Sequence, residues 1–107
     1  TRMAAGVVVE VLKERGKVRI KLPNDILLNG RKVAGILCEM SSRGEETDWV
    51  VCGIGINVNA GPEDFSPEVR RIATSLKIEF GREFEREEIL ERVVRTFKRH
   101  YEKFVGR

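Results

Sequence analysis

Little in this chain suits several common functions, and the gaps narrow the field. Only one Trp and one Tyr accompany five Phe among 107 residues. No cluster of Lys and Arg is interleaved with aromatics, as a single-stranded nucleic-acid platform requires. One His and two Cys, set far apart, offer no metal-ligand spacing. No metal site built from side chains alone is therefore expected. No apolar run approaches the ~18 residues of a membrane-spanning helix, and no signal-peptide pattern is visible, so a cytoplasmic setting is expected. Neither charge sign dominates: 20 basic and 17 acidic residues leave a net charge of +3. Signs alternate in Arg82-Glu83, Glu85-Arg86 and Glu91-Arg92, which predicts a solvated face and no nucleic-acid stripe.

What is present bounds the fold. The chain is long enough for one domain over residues 1–107, burying about two-thirds of its unfolded surface. Residues 3–15 carry Val7, Val8, Val11 and Leu12 on one helical face, and Gly16 follows as a stop. Strands are predicted over 18–22, 26–28 and 33–38, and a polar loop over 41–47. Residues 49–58 are apolar almost throughout, which predicts a central strand. Ser66-Pro67-Glu68 starts a helix running to about residue 78, ahead of Gly81. A last helix over 87–105 places Leu90, Val93, Val94, Phe97, Tyr101 and Phe104 on one stripe. His100, beside Arg99, reads as a surface histidine. Cys38 and Cys52 fall inside strand patterns and read as buried free thiols; a disulfide between neighbouring strands is the alternative and needs an oxidising compartment. The predicted class is α+β, a small, mostly antiparallel sheet backed by helices.

The densest chemistry lies between Lys21 and Leu37. Pro23 has a fixed φ and biases Leu22 towards extension, so the first strand should end there. Asn24 and Asp25 suit a turn. Asn29-Gly30 between apolar segments predicts a two-residue type I′ hairpin. That hairpin should bring Asp25 and Lys32 towards one end region, beside glycine-exposed backbone at Gly35. An ammonium and a carboxylate so placed suit an anionic, nucleotide-activated substrate. The ordinary alternatives are a turn former at Asp25, a solvated strand lysine at Lys32 and a packing glycine at Gly35. Gly53-Ile54-Gly55-Ile56-Asn57 is not a dinucleotide fingerprint, because the third glycine is absent and no helix follows.

Lys21-Leu22-Pro23-Asn24-Asp25, followed by Lys32 and Gly35-Ile36-Leu37-Cys38-Glu39, resembles the signature of biotin protein ligases. Residues 51–59, Ala73-Thr74-Ser75-Leu76 and Tyr101-Glu102-Lys103-Phe104 resemble later family segments in the same order. Leu22 stands where the family usually has Trp, so no aromatic wall is expected there. The resemblance implies a partial biotin/lipoate ligase fold of the class II synthetase-like type. It also implies that the arginine-glycine ligand loop lies upstream of the matching region, making this roughly the second half of a catalytic core, inactive alone.

The implied reaction activates biotin with ATP as biotinyl-5′-AMP and transfers it to a lysine of a biotin carboxyl carrier domain. By resemblance, Lys32 holds the biotin carboxylate and the adenylate phosphate. Asp25 orients the acceptor amine or balances Lys32. Asn24 touches the nucleotide or its metal, and Lys21 adds charge towards the phosphates. Gly35 and Leu37 present main chain to the ureido ring and the valerate tail. Gly53, Gly55 and Asn57 line the adenine site. A homodimer through a sheet edge is a further implication. Two alternatives stand beside this: a non-catalytic or split-subunit module of the same fold, and a lipoate ligase-like protein.

Overall fold

In the computed structural model, residues 2–21 and 24–106 are described, apart from the side chains of Glu14 and Phe104. The expected strand end at Leu22-Pro23 lies outside the described residues. The helical face at the start forms α1 (Arg2–Leu12), which buries Ala4, Ala5, Val7, Val8, Val11 and Leu12. A 3₁₀ turn, Lys13–Arg15, carries the chain to Gly16. Then come β1 (Val18–Lys21), β2 (Asp25–Leu28), β3 (Arg31–Arg43) and β4 (Glu46–Ile56), all antiparallel, in the order β1-β2-β3-β4. Asn29 and Gly30 have φ of 53° and 89°, the two left-handed residues of a type I′ turn.

The core lies on one face of this sheet. Ile26, Leu28, Val33, Ala34 and Ile36 meet the apolar side of α1, and Leu76, Phe84, Ile89 and Val93 complete the cluster. Four elements differ from the sequence-based expectation, each for a physical reason. The polar segment 41–47 is mostly ladder: β3 and β4 stay paired out to Arg43–Glu46, and only Gly44-Glu45 form the tip. An antiparallel ribbon extends by main-chain bonds and needs no apolar face to do so.

β4 is an edge strand, not a central one, among the described residues. Its apolar run remains open to solvent: Leu37, Met40, Trp49, Val50 and Val51 on this ribbon are 52–63% exposed. The expected helix over 66–78 is two short ones, α2 (Pro67–Arg70) and α3 (Leu76–Phe80), capped by Ser66 and Ser75. The break lets residues 72–74 run alongside Lys32 as a parallel bridge, a long-range pairing that overrides local helical preference. Gly81, at φ 70°, closes α3 as its position predicted.

The last helix, α4 (Arg86–Val105), is turned relative to the expected stripe. Ile89, Val93 and Thr96 are buried, whereas Leu90, Val94 and Tyr101 are exposed. The face at 89, 93, 96 and 100 is the one that meets α1 and the sheet, spaced as a helical face should be. His100 sits half-buried at the surface and is engaged there. Its Nε2 lies 2.8 Å from Glu10 Oε1 on α1, and Arg99 binds the same carboxylate. The hydrogen bond from Arg99, then that from His100, lowers the Glu10 pKa to about 2. Among the described residues, no helix is long and apolar enough to cross a membrane.

Cys38 and Cys52 are joined as a disulfide, so the free-thiol expectation is corrected. The register pairs them directly across β3 and β4, with Cα atoms 4.0 Å apart. Residues opposite each other on one face of a ladder are the closest side-chain neighbours in a sheet.

Candidate functional site

The sheet face opposite the core carries an open groove of about 560 Å³, lined by Asn24, Asp25, Lys32, Gly35, Ile36, Leu37, Gly53, Ile54 and Gly55. Across it, Lys32 Nζ lies 3.2 Å from Asp25 Oδ1. Both side chains are partly solvated, at 46% and 34% exposure. An ion pair this open contributes little to stability, so either partner is free to exchange the other for a ligand.

Lys32 reaches this face because of an irregularity in the ladder. Ile26 pairs with Ala34 and Leu27 with Lys32, leaving Val33 as an extra residue in β3. Strict alternation would put Lys32 and Gly35 on opposite faces. The bulge at Val33 restores Lys32 to the face of Asp25, Gly35 and Leu37. The consecutive burial of Val33 and Ala34 is its signature. Lys32 then stands over Gly35, where an added Cβ would meet Lys32 Cε at 3.4 Å and Nζ at 3.5 Å.

The groove floor is bare peptide. Gly35 pairs with Gly55, and Leu37 with Gly53. None of the three glycines has the positive φ that marks Gly30, Gly44 and Gly81. A Cβ on Gly55 would meet nothing within 4 Å, and one on Gly53 would meet only the Leu37 carbonyl oxygen at 3.6 Å. Neither backbone conformation nor internal packing calls for glycine at 53 or 55. The bare main chain they leave is open enough for another molecule to approach closely.

Two expected site residues stand outside this lining. Lys21 is opposite Asp25 in the β1–β2 register, on the same sheet face but beyond the groove. Asn57 lies just after β4 with its main chain and its Nδ2 engaged. Its N–H donates to the Val33 carbonyl at 2.8 Å, its Nδ2 donates to the Thr74 carbonyl at 3.0 Å, and its carbonyl accepts from Leu76 N–H.

The main chain of Lys32 is held from the side by a segment with no role in the sequence reading. Lys32 N–H donates to the Ile72 carbonyl, and Thr74 N–H donates to the Lys32 carbonyl, each at 2.8 Å. Behind these bonds Glu79 accepts from Asn29 Nδ2 at 2.9 Å, from Arg31 Nη2 at 2.8 Å and from the Thr74 hydroxyl. Burial acts to raise the Glu79 pKa, but the hydrogen bonds from Asn29, Thr74 and Arg31 outweigh it and hold the carboxyl below its ordinary value. The signal for this cluster was Ala73-Thr74-Ser75-Leu76, visible in the sequence without any indication of what it touches. Among the described residues, no group of three or more His, Cys, Asp and Glu could hold a metal ion.

A family model described as the biotin/lipoate A/B protein ligase family matches residues 2–57. The bifunctional ligase/repressor BirA of Bacillus subtilis is 39% identical over 107 residues, covering 98% of this chain and 33% of that protein. The apo structure of the biotin protein ligase from Aquifex aeolicus superimposes with a TM-score of 0.80 at 31% identity, covering 95% of this chain and 44% of that one. The same Aquifex enzyme in complex with biotin and ATP gives a TM-score of 0.73 at 27% identity, covering 99% and 42%. The chain thus spans about a third of the length of the curated relative and under half of the solved ones.

Proposed function

The chain belongs to the biotin/lipoate A/B protein ligase family, and from that premise we propose that it is part of the catalytic core of an ATP-dependent biotin protein ligase. In this reading the carboxylate of biotin attacks the α-phosphate of ATP and pyrophosphate leaves, giving biotinyl-5′-AMP. A lysine amine of a carboxylase carrier domain then attacks the acyl carbon, and AMP leaves. The arginine-glycine ligand loop and the rest of the pocket belong to the remainder of the core.

Lys32 is assigned the first step. Two anionic groups must be held together before their charge is redistributed, and a compact ammonium with three donors does this in a preorganised position. Its bond to Asp25 keeps the ammonium over the groove before substrate arrives, and is weak enough to yield. Asp25, released from Lys32, attracts and orients the incoming lysine ammonium of the carrier. Asn24 contacts the nucleotide or the Mg²⁺ that accompanies it as part of the ATP substrate. Lys21 supplies longer-range positive charge towards the phosphates. Gly35 and Leu37 offer main chain to the ureido ring and the valerate tail, and Gly53 and Gly55 let the ligand lie flat on the sheet. Asn57 lines the adenine site in this reading: one Nδ2 hydrogen fastens it to Thr74, and its Oδ1 and second amide hydrogen serve the base edge.

One observation carries this reading. The Lys32–Asp25 pair shares one groove with glycines at 53 and 55 that neither a positive φ nor a packed neighbour requires. Pyrophosphate exchange tests it. A complete ligase core containing this chain should exchange labelled pyrophosphate into ATP when biotin is supplied and not with lipoate, whereas this chain alone should exchange little. Exchange with lipoate alone moves the substrate to the lipoate branch. No exchange with either, from a folded core, favours the second reading, a non-catalytic or split-subunit module, whose motivating observation is Leu22 in place of the family's usual Trp. The open edge of β4 supports self-association as a further part of the proposal. A cytoplasmic setting is a further part of the proposal.

A further inference from the structure

We infer that Glu79 is a positioning residue for Lys32: its partly buried carboxylate holds the β3 bulge in the register that turns Lys32 towards the groove. The inference rests on the ligase reading above and adds a residue that this reading does not use.

The bulge at Val33 is the weak point of the site. A strand that slipped by one residue there would carry Lys32 to the core face, because side chains alternate with period two. The Lys32–Asp25 pair is too exposed to prevent this. The hairpin turn and the buried face already bias the register, and Glu79 is placed to hold it at the bulge from three directions. Through Asn29 it holds the hairpin turn from which β3 starts. Through Arg31 it holds the residue immediately before Lys32. Through the Thr74 hydroxyl it holds the residue whose N–H binds the Lys32 carbonyl.

The side chain of Glu79 is only 10% exposed. A carboxylate so buried is costly to desolvate, and an apolar residue of similar volume often serves stability as well. What an apolar residue cannot do is bind three separate donors at set distances. The arrangement therefore points to geometry as the return on this charge, with Lys32 as what the geometry places.

The test compares variants of a complete ligase core in biotin-dependent pyrophosphate exchange, reading kcat and KM separately. A misplacement of about 1 Å in a catalytic group costs on the order of 100-fold. Glu79→Gln, which keeps the volume and loses the charge, should lower kcat about tenfold or more while KM for biotin moves less than about twofold. Thr74→Val, which removes a single donor, should lower kcat in the same manner but less. Glu10→Gln serves as control: it breaks a comparable cluster between α1 and α4, away from Lys32, and should leave both constants unchanged. A purely structural role for Glu79 predicts lower melting temperatures with kcat intact, and that result overturns the inference. Should Glu79→Gln fail to fold, Thr74→Val decides, and an unaltered kcat there overturns it equally. Lys32→Ala in the same assay separates the two proposals: unchanged exchange in that variant defeats the ligase reading itself, whereas lost exchange beside a normal Glu79→Gln defeats only the inference.

Discussion

Ile36 and Met40 lie on the same face of the same strand, four residues apart, yet Ile36 is buried and Met40 is 63% exposed. The half of the β3–β4 hairpin near β2 has neighbours on every side. It pairs with β2, packs on the α1–α4 core, and receives main-chain bonds from Ile72, Thr74 and Asn57. The half towards Gly44 has its own ladder, the Arg43–Asp48 pair and the disulfide at its base. The second half is not short of apolar residues, since Trp49, Val50 and Val51 are all there. Among the described residues it has nothing packed over them. Apolar composition alone does not order a ribbon, and two strands in water are marginal without a surface to cover. The groove occupies the half that is tied down.

Breaking the tied half at its chemistry should have the largest effect. Lys32→Ala in a complete ligase core should slow adenylate formation by about 100-fold to 1000-fold, the usual loss for one preorganised charge-stabilising donor. Single-turnover measurement of biotinyl-5′-AMP is the check.

The next contrast is in stability. Ile36→Ala should cost about 2 to 5 kcal/mol, because it empties a packed position. Met40→Ala should stay within about 0.5 kcal/mol, because its side chain is already in water. Denaturant titration of the two variants measures the difference directly, and equal values would show that the distal ribbon is packed after all.

Reducing Cys38–Cys52 should act on the distal half. Closing a loop of this size stabilises by about 3 kcal/mol in the chain-entropy view, with 14 residues of separation here. Amide exchange should accelerate across residues 39–51 on reduction and change little at residues 31–36. Uniform acceleration along both strands would mean that the two halves open together.

The smallest effect is expected far from both halves, at Glu10. Its pKa is lowered in the folded protein to about 2 from 4.5, by Arg99 first and His100 second. A lowered carboxyl pKa stabilises above the unfolded value and loses that contribution as pH falls through the folded one. Stability should therefore decline from about pH 4.5 to about pH 2 through this group. Glu10→Gln should flatten that part of the acid profile without altering the hairpin contrast.

How much of this was legible beforehand depended on how local each feature is. The Asn29-Gly30 turn was legible because its left-handed backbone is a property of those two residues. The approach of Asp25 and Lys32 followed from that turn and from the family resemblance. The bulge that makes the approach productive was not legible, since nothing in Lys32-Val33-Ala34 distinguishes a bulge from plain alternation. The apolar run at 49–58 announced a strand but not its neighbours, and so an edge was read as a centre. Residues 66–78 carry a helical start and stop, but the carbonyl and N–H of Lys32 claim the backbone between them. Cys38 and Cys52 became partners through a register set at the hairpin tip, which spacing alone does not reveal. On α4 the apolar residues outnumber the positions the core can cover, and the packing of α1 selects which face is used. Most of the misses turn on contacts that local sequence does not show, and the bulge and the helix break bear directly on the site.

The central claim is that glycine at position 55 is kept for a ligand lying on the sheet. Calorimetric titration of biotin into a complete ligase core and its Gly55→Val variant tests this most directly, with circular dichroism to verify the fold. An intact fold with affinity lowered at least about tenfold is the predicted result, because the new side chain occupies the groove and meets no protein atom at its Cβ. An intact fold with unchanged affinity would contradict the account.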